Sequence, residues 1–116
     1  MQPFSFPRLE HLKKRDDISA VFKKGHCVQC RGAKLFYLKN GMEHNRIAFT
    51  FAKKFGNAVA RNRARRLGRE AYRMMRSNFL AGFDIVLLVY PPTKKGFGLA
   101  ERQRQFEILF TSAKIL

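Results

Sequence analysis

RIAFTFAKKFGNAVARNRARRLGREAYRMMRSNFLAGFDIVLLVY, residues 46–90, carries the reading of the fold. It falls into three pieces. Residues 46–52 alternate, with Ile47, Phe49 and Phe51 on one side and Ala48, Thr50 and Ala52 on the other, the period of a strand. Residues 84–90 are nearly all apolar and rich in β-branched side chains, which marks an interior strand covered on both faces. Between them runs a long basic helix. Strand, helix, strand in that order makes the second strand parallel to a neighbour.

The helix begins at Asn57, whose side chain suits the free amides of a first turn, after a backbone turn at Gly56. With Arg61 at zero, Arg65, Arg76, Arg69, Arg73 and Arg66 project at about 40°, 60°, 80°, 120° and 140°. Ala60, Ala64, Leu67, Ala71, Met74 and Met75 gather between about 220° and 320°, and Arg63 sits on the border near 200°. Residues 53–76 hold nine Lys or Arg against one acid, Glu70, which is half of the chain's formal +16. Many charge runs are only solvated faces. Here acids that would pair along the helix are nearly absent, so the like charges repel unless a polyanion relieves them. The choice of Arg also suits two-pronged phosphate contacts.

Outward from this unit the pattern is simpler. Residues 15–24 read as a short helix, with Asp16 or Asp17 as cap, Ile18, Val21 and Phe22 inward, and Gly25 as stop. Residues 27–39 carry a strand signal, strongest at 34–38, with a bend or bulge at Gly32. Its alternation sets Leu35 and Tyr37 on one face and Phe36 and Leu38 on the other. Residues 40–45 form a polar turn, 93–98 a basic loop, and 99–113 a last helix with Leu99, Phe106, Leu109, Phe110 and Ala113 inward. Residues 1–10 form a partly irregular arm, broken by Pro3 and Pro7, with Phe4, Phe6 and Leu9 as anchors. The expectation is one α+β domain over residues 1–116, a small α-β sandwich in the order α-β-β(-β)-α-β-α.

Composition narrows the function. A formal +16 on 116 residues, with pI near 10.8, favours a polyanionic partner, nucleic acid before anionic membrane. No apolar run reaches the roughly 18 residues of a membrane span, and no signal segment opens the chain, so a cytoplasmic protein is expected. Cys27 and Cys30 form a lone CxxC in strand-like surroundings. His26 and His44 make weak additional metal ligands, so ordinary thiols are expected. The chain has no GxGxxG, Walker A, HExxH or GxSxG pattern. Its eight acids form no strand-borne set of the two-metal type; Asp84 is the best isolated candidate. The chain reads as one that binds RNA or DNA without cutting it.

Lys54-Phe55-Gly56-Asn57-Ala58-Val59, then Arg61-Asn62-Arg63, Arg65-Arg66 and Arg69-Glu70, resemble the signature of the protein subunit of bacterial ribonuclease P. The motif is long, ordered and specific. Arg8-Leu9, Asp17, Val21, Phe22, Gly25, Lys39-Asn40, residues 46–52 and Gly82-Phe83-Asp84-Ile85-Val86 extend the likeness over residues 8–113. The resemblance implies a mixed central sheet with a left-handed βαβ crossover, like the second domain of ribosomal protein S5. It implies a protein, monomeric alone, that assists a catalytic RNA in removing the 5′ leader of precursor tRNA. Mg²⁺ would be held mainly by the RNA and none stably by the protein. Lys53, Lys54, Asn57, Arg61, Asn62, Arg63, Arg65, Arg66, Arg69 and Arg73 would face the catalytic RNA. The family's leader cleft maps to Lys14, Arg15, Ile18, Phe22, Phe36 and Tyr37, by stacking and phosphate contacts. No residue is expected to be catalytic or to hold a metal. Ile18 departs from the family's usual Phe after Asp17, which weakens stacking there. The alternative is an accessory or ribosome-associated RNA-binding protein with no part in cleavage.

Overall fold

The computed structural model describes residues 10–92 and 96–116. Seven elements follow in the order α1 (Arg15–Lys24), β1 (His26–Cys30), β2 (Ala33–Lys39), β3 (Arg46–Phe51), α2 (Ala58–Met75), β4 (Phe83–Val89) and α3 (Leu99–Ser112), with a 3-10 turn at Arg76–Asn78. The strands form one mixed sheet ordered β1-β2-β4-β3. The apolar run of β4 lies inside it, parallel to β3 with Ile47 opposite Ile85, and antiparallel to β2 with Leu35 opposite Leu87. A strand flanked on both sides and covered on both faces is where such a run belongs.

Alternation along the strands divides the core in two. Leu35, Ile47, Ile85, Leu87 and Val89 meet Ala71 and Tyr72 of α2 and Phe106, Leu109 and Phe110 of α3. On the opposite face Leu12, Val21 and Val86 pack with Ile18, Phe36, Leu38 and Ala48 beneath α1. The domain is therefore α1, sheet, then α2 with α3. Among the described residues no helix is long and apolar enough to cross a membrane.

Several local expectations change. Residues 26–39 are two strands: Cys30 pairs with Ala33 across a two-residue turn, with Gly32 at φ +90° in its second position. Lys14 precedes α1 as its N-cap and offers no side-chain cap, and Asp16 and Asp17 stand in the first turn, where they favour the positive helix end. Gly25 ends α1 in extended backbone, and its missing side chain is what matters. A Cβ there would lie 2.4 Å from Val21 O and 2.6 Å from Tyr37 O. The turn at 40–45 joins strands that are not neighbours, so it closes no hairpin. The anchors Phe4, Phe6 and Leu9 lie outside the described residues. The segment after them is ordered against β3: the Leu12 N–H donates to Ile47 O at 2.9 Å.

Candidate nucleic-acid interface

α2 is built as its sequence asks at the start. Asn57 Oδ1 accepts the Ala60 N–H at 2.9 Å, and Gly56 takes φ +150°. Just before it Lys54 holds φ 64°, a left-handed conformation that non-glycine residues seldom adopt. Lys53 and Lys54 are thereby exposed on a turn at the helix entrance.

The mounting face differs from the projection. Ala64, Gly68, Ala71 and Tyr72 are buried, whereas Ala60 and Met74 are exposed. The inward stripe centres near 320°, not 270°. Gly68 sets this rotation: a Cβ there would stand 2.8 Å from the Phe49 ring, so the helix backbone lies directly on β3. The rotation carries the inner edge of the arginine arc towards the protein.

The basic residues consequently sort into groups. Arg61, Arg66 and Arg69 are exposed and, among the described residues, have no acidic partner. Arg65 lies over the Phe51 ring at 5.2 Å and donates to Asn62 Oδ1 at 2.9 Å, which fixes both side chains at the surface. Arg63 donates to Phe97 O at 3.4 Å. Arg73 is tied to Glu70, and Arg76 to Glu10. Glu10 also accepts from the Tyr72 hydroxyl at 3.2 Å. Burial, and then the Glu10 carboxylate, push the Tyr72 phenol well above its ordinary value.

Arg65 and Arg69 also line a groove of about 270 Å³ whose other wall includes Lys13, Ile18, Ala48 and Phe49. The α2 face thus continues around the β3 edge to the surface beside α1. There Phe22 is 46% exposed and its ring meets Phe36 edge-on at 4.7 Å. Lys14 and Arg15 are exposed at the head of the same helix, and Ile18 packs below it. Tyr37 does not join them. It lies on the α2/α3 side of the sheet, between His26 at 5.5 Å and Phe83 at 6.1 Å. Lys13 and His11 belong to the groove but not to the residues selected from sequence. The run Lys13-Lys14-Arg15 was the signal, and the bridge of His11 to Ile47 is what brings it to β3.

Asp84 has structural work. Arg46 grips it from Nε at 2.8 Å and a terminal nitrogen at 2.6 Å, and Asn40 donates at 2.9 Å. Arg46 also reaches Asp17 on α1 at 3.4 Å. Its hydrogen bonds to the Asp84 carboxylate hold Arg46 above its usual value. Cys27 and Cys30 are free, and burial raises the Cys30 thiol. Among the described residues no three His, Cys, Asp or Glu gather as a metal site.

The family model described as Ribonuclease P matches residues 6–114. The ribonuclease P protein component of Thermotoga petrophila is 34% identical over 112 residues, spanning 97% of this chain and 91% of its own. That of Natranaerobius thermophilus is 42% identical over 77 residues, 66% of this chain and 67% of its own. Among solved structures, the Staphylococcus aureus RNase P protein superposes with TM-score 0.80 at 32% identity, covering 91% of this chain and 96% of that one. The Thermotoga maritima RNase P protein gives 0.78 at 29%, with 89% and 96% covered.

Proposed function

Because this chain belongs to the ribonuclease P protein family, a component of an endoribonuclease of tRNA processing, we propose that it is the RNA-binding subunit that assists a catalytic RNA in removing the 5′ leader of precursor tRNA. One observation carries the reading. The cations Arg61, Arg66 and Arg69, which have no acidic partner among the described residues, run, through the groove at Arg65 and Lys13, into the surface bearing the Phe22–Phe36 pair. A protein with two RNA contacts needs such continuity: a phosphate-binding face for one RNA and a stacking surface for an unpaired strand.

In this reading Lys53, Lys54, Asn57, Arg61, Asn62, Arg63, Arg65, Arg66 and Arg69 face the catalytic RNA. Arg73 contributes less because Glu70 already neutralises it. Lys14, Arg15, Ile18, Phe22 and Phe36 face the leader; Tyr37 supports the sheet from behind. The chemistry stays with the RNA, and the protein raises its affinity for substrate. Mg²⁺ belongs to the RNA as well. Five of the eight acids are already engaged: Asp17 and Asp84 hold Arg46, Glu10 holds Arg76, Glu70 holds Arg73, and Glu101 caps α3.

The test is reconstitution with a bacterial ribonuclease P RNA at low Mg²⁺, reading leader removal from precursor tRNA. Stimulation over RNA alone is expected. Tight binding with no stimulation would replace this reading with that of an accessory RNA-binding protein.

A further inference from the structure

α2 and α3 both begin at the same end of the domain, and a pocket of about 330 Å³ lies between them. Its walls are apolar and flat: Phe55, Leu67, Pro91, Pro92 and Phe97. Two guanidinium groups line it as well. Arg63 is exposed at the rim, and Arg102 contributes to the floor while only 1% exposed.

Arg102 is the anomaly. It sits on the inward stripe of α3, between Leu99 and Phe106, where an apolar side chain is expected. A buried cation ordinarily finds a carboxylate. Among the described residues Arg102 has none. One terminal nitrogen donates to Gln105 Oε1 at 2.8 Å, its Cζ lies 4.7 Å from the centre of the Phe97 ring, and its Nε–H has no acceptor among the described residues. Burial pulls it down to about 10, so it still carries its charge at neutral pH. A charge held this way is stabilised by an anion arriving from outside.

We propose that this pocket receives a single unstacked nucleotide of an RNA strand, its phosphate held by Arg63 and Arg102 and its base laid against Phe97 and the Pro91-Pro92 wall. The proposal rests on the RNA-binding reading and adds to it a site that borders the α2 face, sharing Arg63 with it, and lies away from the α1 surface. The volume suits one nucleotide rather than a duplex, and sites of this size are ordinary for small ligands. Aromatic and proline surfaces accept any base by its face, while a guanidinium supplies charge-assisted hydrogen bonds. Both helix N-termini add positive potential at the same end.

The probe is guanosine 5′-monophosphate titrated into the isotope-labelled full chain, with inorganic phosphate as comparison. The Arg102 Nε–H signal and the Leu67 and Phe97 amides should shift together and saturate, with the nucleotide binding more tightly than phosphate. Arg102→Met should weaken that binding by about tenfold. Phe97→Leu, which keeps the Arg102 charge but removes the ring beneath it, should weaken it by about fivefold or more. If Arg102→Met does not fold, the parent titration and Phe97→Leu decide the matter. Shifts confined to Arg61, Arg66 and Arg69, or equal affinity for phosphate and nucleotide, would overturn the proposal. So would unchanged binding in Phe97→Leu. The probe contains no catalytic RNA, so failure here leaves the reconstitution result intact, and the converse also holds.

Discussion

Asp84 was the one acid whose position before a buried strand suggested chemistry, and its neighbours give it a different task. Asn40, Arg46 and Asp17 come from three separate segments that share a family likeness; Asn40 and Arg46 donate to this carboxylate, and Asp17 on α1 accepts from the same Arg46. The cluster ties α1 and the 40–45 turn to the centre of the sheet. Asp84→Ala leaves Arg46 largely buried with only its longer contact to Asp17. A loss of about 3 kcal/mol in urea unfolding is expected; a loss below that of an exposed ion pair would contradict the role. Tyr72 gives a pH-dependent counterpart. It faces Glu10 and Arg76, and its phenol is raised in the folded state. The folded protein keeps a proton that the unfolded chain releases near pH 10. Stability from this group is therefore complete below about pH 10 and falls as pH rises above it. Tyr72→Phe should lose less stability than the parent between pH 9 and pH 11, measured by denaturant midpoint. Equal losses would show that other groups govern the alkaline limb.

At the scale of elements, period and polarity were enough to place β3, α2, β4 and α3, because each keeps one pattern over its whole length. What they could not give was the rotation of α2. The projection weighed Ala, Leu and Met as apolar and passed over Gly68, since glycine has no side chain to count. Yet Gly68 is the point of closest approach, against Phe49. Tyr72 was also hidden: its ring is buried, and its hydroxyl needed Glu10, a residue far away in sequence, to be satisfied. The arginine arc was legible as a whole, but its division was not, because Glu10 and Phe51 come from other elements. Arg102 escaped for the opposite reason, as a charge on a stripe that the pattern reserves for apolar residues. Gly68→Ala tests the packing. In an open helix the change gains up to about 1 kcal/mol. Here the added methyl must push the Phe49 ring, at a cost of about 1–3 kcal/mol. A net loss near 1 kcal/mol and a lower Tm are expected; a higher Tm would mean that α2 stands further from β3.

Across the whole molecule the charge is divided by what it faces, and that makes the two RNA surfaces separable. Arg66 has no acid among the described residues, whereas Arg73 is already neutralised by Glu70. Each phosphate contact contributes nearly one unit to the salt slope of RNA binding. Arg66→Ala should therefore flatten the slope for the catalytic RNA by about one unit, and Arg73→Ala by clearly less. Neither should distinguish precursor from mature tRNA once the complex has formed. Phe22 stands on the far side of the β3 edge, nearly half exposed, above a core whose buried members are Leu12, Val21 and Val86. Phe22→Ala should leave assembly with the catalytic RNA unchanged and lower the preference for precursor over mature tRNA by about fivefold or more, the stacking of one base. The two measurements are affinity of the protein for the RNA subunit and affinity of the assembled complex for the two tRNA forms. Equal weakening for both tRNA forms in Phe22→Ala would make the Phe22–Phe36 contact a packing feature, and the leader would then have to run elsewhere on the basic surface.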